Sequence, residues 1–288
     1  MPDNISITKN NFANYRLWYS RLDVVYEILK YAKNRELAVI NPFVKKEAIR
    51  MIKLNTAQQF GNISKWINMN KRTWNLYTSL AVYKNGIPNQ SFNMEKRDSK
   101  EWNLNHWKEI KHFDFLIDFD CDSHDMIAYA KEDVKRVSNF FNGIPHSIRY
   151  SGMGYHIMIS GEYMPKITFN PDEKDNYFDF LRECLVQLRR RFSDFIDTGC
   201  HDPRRIAKLP YSLALYENDN YVCWPLRTLR ELEQNPINYL SGAVLSDCEP
   251  IRDRGIPLLN IEKEASLKAF KQLLGRKYKR FVKDGDKK

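Results

Sequence analysis

The stretch FDFLIDFD, residues 113–120, decides how the rest of this chain is read. It is a near-continuous apolar run interrupted only by acids, which predicts a buried strand. Side chains alternate between the faces of a strand, so Asp114, Asp118 and Asp120 share one face while Phe115, Ile117 and Phe119 share the other. Carboxylates crowded on one face are costly unless something neutralises them, and a divalent cation does this well. An Asp-x-Asp pair alone is weakly specific: it occurs in nucleases and glycosyltransferases, and a solvated strand end produces it too.

Downstream segments supply further chemistry. Asp122 and Ser123 can cap a helix over 124–141. HSIRY (146–150) and YHIMIS (155–160) read as two strands joined by Ser151-Gly152-Met153-Gly154. The two glycines permit positive φ and close approach of a phosphate to main-chain N–H groups, and Ser151 adds a hydroxyl donor. His156 opens the next strand, where its ring can face the same site; the plainer alternative is a glycine-rich hairpin with an incidental histidine. After a helix over 174–192 comes FIDTGCHDPRRIAKLPYSL (195–213). Asp197 and Asp202 are both candidates for a third carboxylate, and Arg204, Arg205 and Lys208 are cations suited to phosphates. A charged loop running into a strand is the alternative there. Together the three segments hold the parts that a two-metal phosphoryl or nucleotidyl transfer requires.

The remaining chain reads as mixed α and β. Leu17, Trp18, Leu22, Val25, Ile28 and Leu29 recur at helical spacing over 14–33. A short strand is predicted over 36–40, a helical stretch over 45–53, a helix over 57–69, and a strand in WNLYTSLAVY (74–83). RIAKLPYSL (205–213) and YVCWPL (221–226) are extended, and residues 228–231 match a capping box. Residues 262–281 form a basic amphipathic helix whose Leu267, Phe270, Leu273, Leu274 and Tyr278 suit packing.

Composition narrows the function classes. The 288 residues suit one large domain or two modest ones, and 43% hydrophobic with 28% charged residues excludes wholesale disorder. The net charge of +10 points to a polyanionic partner, and it is unevenly spread: +10 over 1–100, −7 over 101–250 and +7 over 251–288. No apolar run approaches the about 18–20 residues that span a bilayer, and MPDNISITKN carries no signal core, so no membrane partner and a cytoplasmic location are expected. Five scattered cysteines without a Cys-x-x-Cys predict neither a disulfide framework nor structural zinc.

The order LIDFD, SGMGYH, then FID…RIAKLPYSL resembles the archaeo-eukaryotic primase superfamily, whose motifs are an hhhDhD strand, an SGxGxH-like strand pair and a late hD leading to a K/R-x-P-x-S-L segment. NRELAVI (34–40), the later Arg50, NLYTSLAVY (75–83) and YVCWPL extend the resemblance over roughly residues 10–235. It implies an α+β primase fold of mixed β-sheets, with a metal site on the central strands and flanking helices. Residues 1–240 would be the catalytic domain, with a helix-and-strand subregion over 1–100, and 241–288 a basic helical extension. Carried over by position, Asp118, Asp120 and Asp197 are catalytic ligands of two Mg²⁺ or Mn²⁺ ions, with Asp202 ranked below Asp197. Ser151, Gly152 and His156 hold an incoming triphosphate, and Lys208 and Arg50 add positive charge. Met153 stands where many relatives have arginine, and Ala214 where many have histidine, so Arg149, Arg204 or Arg205 is expected to substitute. The zinc-binding insertion of replicative primases is missing.

The implied activity is that of a DNA-templated primase or primase-polymerase, making primers from (d)NTPs on single-stranded DNA. An accessory primase subunit, or a replication or CRISPR partner, would fit that role. The end-joining polymerase domain of bacterial DNA repair ligases shares these motifs and is one alternative. A metal-dependent nuclease and an inactive nucleic-acid-binding module are the others. Tyr150, Tyr155 and Tyr211 are candidates for stacking on bases, whereas Trp18, Phe140 and Phe141 are expected in the core.

Overall fold

The computed structural model describes residues 18–40, 48–52, 58–62, 75–87, 108–165, 174–202, 204–216, 219–226, 232 and 263–281. The chain begins with α1 (Leu22–Ala32), β1 (Leu37–Ile40), β2 (Ala48–Ile52) and β3 (Asn75–Ser79). Next come β4 (Ala81–Tyr83), β5 (Ile110–Phe113), β6 (Phe115–Asp120), α2 (His124–Phe140), β7 (His146–Tyr150) and β8 (Gly154–Ile159). Then follow α3 (Lys174–Phe192), β9 (Ile206–Lys208), β10 (Leu213–Tyr216), β11 (Asp219–Val222), β12 (Trp224–Leu226) and α4 (Lys263–Leu274). They fall into two compact units. The first gathers Met1–Ser79, Arg149–Gly152 and Ile206–Arg254, and the second gathers Leu80–Ile148, Met153–Arg205 and Gly255–Lys288.

In the first unit a four-stranded sheet has the order β2-β1-β3-β9, and β10 pairs with β11. Leu37, Ala38 and Val39 of β1 are all buried, as an apolar strand covered on both faces demands. Helix α1 places Val24, Val25 and Ile28 in that core. Two long-range bonds tie the chain start to the β9–β10 connection: the Trp18 indole donates to the Tyr211 carbonyl at 2.8 Å, and the Leu213 amide donates to the Tyr19 hydroxyl at 2.9 Å. The helical stretch expected over 45–53 is corrected, since 48–52 is strand β2, paired antiparallel to β1 through Leu37↔Ile52, Val39↔Ile49 and Ile40↔Ala48. A five-residue apolar segment fits either period, and pairing with a buried neighbour decides it. The helix expected over 57–69 is described at 58–62 only, and the capping box at 228–231 lies outside the described residues.

In the second unit β7, β8 and β6 lie side by side in that order, and β4 pairs with β5. β6 and β8 run antiparallel in the register Phe115↔Ile159 through Asp118↔His156 to Asp120↔Gly154. Phe115, Leu116, Ile117 and Phe119 are all buried, so only the C-terminal end of β6 offers polar groups outward. The ring of Phe270 on α4 packs 6.1 Å from Phe115, 5.5 Å from Phe141 and 5.6 Å from Phe180, so α4 is part of this core. A boundary near residue 240 lies outside the described residues. α3 spans the predicted 174–192, whereas Ser123 begins α2 without a side-chain cap bond. No helix among the described residues is long and apolar enough to cross a membrane.

The pairings of β1 with β2 and β3, β3 with β9, β4 with β5, β6 with β8 and β10 with β11 are antiparallel. One sheet feature differs from expectation: β6 is an outer strand rather than a central one. Its free edge is used: the Asp120 amide donates to the Phe195 carbonyl and the Asp197 amide to the Asp118 carbonyl, both at 2.9 Å, with a bridge between Phe119 and Ile196.

The β6–β8 contact depends on a glycine. A Cβ at Gly154 would stand 1.8 Å from the Phe119 carbonyl oxygen, an approach that only a hydrogen permits. Gly154→Ala is therefore expected to destabilise the protein by about 3 kcal/mol or more, since backbone on both strands must move. Urea unfolding checks this; unchanged stability would mean the two strands are not this close.

Candidate functional site

The edge pairing of β6 brings two acids together. Alternation puts Asp118 on the open face of β6, and the main-chain bond from Asp197 to the Asp118 carbonyl sets the second carboxylate beside it. Asp197 is held further because its Oδ1 accepts the Gly199 amide at 2.7 Å, capping the 3-10 helix Thr198–His201. That turn carries Cys200 back over the pair. Its thiol points at Asp197 Oδ2 (3.4 Å) and Asp118 Oδ2 (3.9 Å). Ligand atoms of Asp118, Asp197 and Cys200 all lie within 4.8 Å of one another, the one such His, Cys, Asp or Glu grouping among the described residues.

A cation already faces these oxygens. Nη2 of Arg205 lies 2.7 Å from Asp197 Oδ2 and 3.4 Å from Asp118 Oδ2. Burial works against the charge of Arg205, yet Cys200, Asp118 and Asp197 hold its pKa above the usual arginine value. Burial and then the Asp118 carboxylate push the Cys200 thiol far up. Cys121, next along from β6, is pushed up to about 12 by burial and then by Asp120, Asp118 and Asp122, so the end of the strand is strongly negative.

His156, opposite Asp118 in the register, is buried, with Nε2 3.3 Å from Asp118 Oδ1. Its Nδ1 is buried with no hydrogen-bond partner among the described residues. Asp120 sits at the exposed end of β6, two residues beyond Asp118 and outside the three-residue grouping. Asp114 is not at this site. It is buried at the start of β6, where its Oδ1 accepts the Gly161 amide at 3.1 Å, about 13 Å along the strand from Asp118. Asp202 accepts the Arg204 amide at 2.7 Å in a local turn.

Ser151, Gly152, Lys208 and Arg50 belong to the first unit. Lys208 Nζ donates to the Ser151 carbonyl at 2.7 Å, so this lysine pins the Ser151–Gly152 turn by its main chain. Gly152 has φ 109°, the left-handed value its place in the loop predicts, and the Tyr150 hydroxyl donates to its carbonyl. Arg50 is placed by its backbone on β2, and its side chain lies outside the described residues. β2 and β9 are opposite edges of the sheet, so the Arg50 and Lys208 backbones are about 14 Å apart. Of the cations proposed as substitutes, Arg149 stacks on Tyr31 at 5.3 Å and Arg205 takes the carboxylates. Tyr155 and Tyr211 are buried, which removes them as stacking platforms, and Trp18 and Phe141 are core as expected.

Sequence reasoning missed Cys200 as part of this cluster and assigned Arg205 to phosphate. The available signal was spacing: three residues from Asp197, Cys200 returns to the same side of a single 3-10 turn.

The donor set fits a divalent ion. Two carboxylate oxygens and a thiol converge, and the adjacent guanidinium shows that the spot attracts positive charge. No family model matches the chain, and no curated protein matches it. Among solved structures it is similar to the polymerase domain of Mycobacterium tuberculosis Ligase D in complex with DNA. The two are 13% identical with a TM-score of 0.50, over 84% of this chain and 88% of that one. The likeness shows that this chain shares the fold of that polymerase domain.

A metal ion bound here would compete with Arg205 for the same two oxygens. Because Arg205 is about a third exposed, solvent screens its ion pairs to about 0.5–1 kcal/mol. Arg205→Gln is therefore expected to tighten Mn²⁺ binding by roughly two- to fivefold, read by electron paramagnetic resonance. It should also lower Tm in metal-free buffer, with recovery on adding Mn²⁺. Weaker Mn²⁺ binding would show that Arg205 supports the ion instead.

Proposed function

We propose that this chain is a DNA-templated nucleotidyltransferase, a primase or primase-polymerase that joins (d)NTPs on a single-stranded template. The observation that carries the reading is the Asp118–Asp197 carboxylate pair, set by main-chain bonds at the end of β6 in a fold shared with a polymerase domain.

Asp118 and Asp197, with Asp120 at the strand end, are the residues that would hold Mg²⁺ or Mn²⁺. Such ions supply stabilisation of the charge that develops on the transferring phosphoryl group and its leaving group. The chain itself provides orientation. Asp118 is fixed by the β6 backbone and by His156 against Oδ1, which leaves Oδ2 facing Asp197. Asp197 is fixed by its amide bond to β6 and by its cap on Gly199. Carboxylates held this firmly need little rearrangement when charge develops, which is where electrostatic catalysis gains most. His156, buried opposite Asp118, is assigned to the incoming nucleotide. Ser151 and Gly152 are assigned to nucleotide phosphates as well, with Lys208 acting through the loop it pins.

A second reading is favoured by the neighbour named above: extension of existing DNA ends, as a repair polymerase domain performs, instead of synthesis from two free nucleotides. The two separate on products. Formation of a dinucleotide on a primer-free template supports the first, and extension confined to pre-annealed primers supports the second.

Asp118→Ala is expected to lower templated synthesis with Mg²⁺ or Mn²⁺ by roughly a thousandfold, leaving the fold intact by circular dichroism. Synthesis at the wild-type rate would remove Asp118 from the active site. Degradation of labelled DNA by the wild type without nucleotide would point to a nuclease instead.

A further inference from the structure

Helix α3 ends in Arg189, Arg190 and Arg191, and the 3-10 helix Gly275–Arg280 that continues α4 carries four more basic residues. Both belong to the second unit, and two contacts set them side by side: Arg191 Nη1 donates to the Gln272 carbonyl at 3.0 Å, and Lys277 pairs with Glu183 at 2.6 Å. Residue numbers rise along one helix as they fall along the other, so the helices run antiparallel over about 12 Å of axis. Residues 179–191 and 268–280 hold ten basic and two acidic side chains, and one of those acids, Glu183, is taken by Lys277.

Helix ends explain part of this. Arg136 donates to the Phe192 carbonyl at 2.8 Å and Arg191 to Gln272, a common use of cations at C-terminal carbonyls. Arg182, Arg189, Arg190, Lys271, Arg276 and Lys279 are exposed beyond those contacts. Like charges at this density repel, and a polyanion relieves them. A protein partner needs apolar or aromatic anchors, and stable anchoring on an anionic membrane takes an inserted apolar face or lipid chain besides the charge. Among the described residues the exposed large hydrophobics are Leu22, Tyr26, Met126, Tyr129 and Val186, so this face has Val186 alone. Charge without anchors is the signature of phosphate-backbone contact.

We propose that the α3–α4 face is an accessory DNA-binding surface that grips the phosphate backbone without reading sequence. It rests on the polymerase reading only for the choice of DNA as the polyanion.

The test uses the full chain with Arg189→Gln, Arg190→Gln and Lys279→Gln combined, which leaves Arg191 and Lys277 in their structural contacts. Binding to a labelled single strand of about 20 nucleotides is followed by fluorescence anisotropy in EDTA, between about 50 and 200 mM salt. Expected are a roughly tenfold or greater loss of affinity at low salt, and a log–log salt slope shallower by about 2. Tm should not change, and the matching triple Lys or Arg exchange should retain binding. An unchanged affinity and slope would overturn the proposal. So would polyglutamate displacing the DNA as well as unlabelled DNA does, which would indicate an acidic protein partner. Templated synthesis by the wild type is scored separately. Its absence alongside a lost salt slope would defeat the polymerase reading and leave this surface standing, while synthesis with an unchanged slope would do the reverse.

Discussion

Two carboxylates from separate segments, held side by side by main-chain hydrogen bonds, are the constraint on which the second unit depends. Asp197 cannot drift from Asp118 without breaking the bond from its own amide to the Asp118 carbonyl, and that bond closes the free edge of β6. The repulsion is therefore built into the backbone, and relief has to come from a positive charge at the paired oxygens. Arg205 supplies such a charge from within the chain, and the Cys200 thiol adds a weak hydrogen bond to the same oxygens. A divalent ion would supply a larger charge in a smaller volume at the same oxygens.

The rest of the second unit keeps that end of β6 rigid. Apolar side chains on both faces anchor the strand, and α4 contributes Phe270 to the same aromatic cluster as Phe115. Gly154 lets β8 come close enough for His156 to meet Asp118. The negative strand end and the cationic α3–α4 face divide the charge of this unit between two places. The −7 of residues 101–250 thus averages over an acidic centre and an arginine-rich helix end.

Much of this was legible in the sequence, and the residues show why the rest was not. Alternation in FDFLIDFD puts Asp118 and Asp120 on one face, but it says nothing about distance along a strand, so Asp114 joined them on paper while sitting buried beside Gly161. The glycines of SGMGYH suggested positive φ. Gly152 has it, whereas Gly154 is needed for strand packing, a tertiary reason that local sequence does not carry. The strand at 48–52 could not be separated from a helix by period, because its partner β1 makes the choice. Tyr155 and Tyr211 flank motifs yet face inward, and proximity in sequence does not report burial. Arg205 was recognised as a cation, but its partner was set by the fold.

If the paired oxygens of Asp118 and Asp197 are a divalent-cation site, anomalous diffraction from crystals soaked in Mn²⁺ will show a manganese peak against both carboxylates, with the Arg205 guanidinium moved off Asp118 and Asp197. A map with Arg205 still bridging the two acids, and manganese absent there or bound elsewhere, would contradict that assignment.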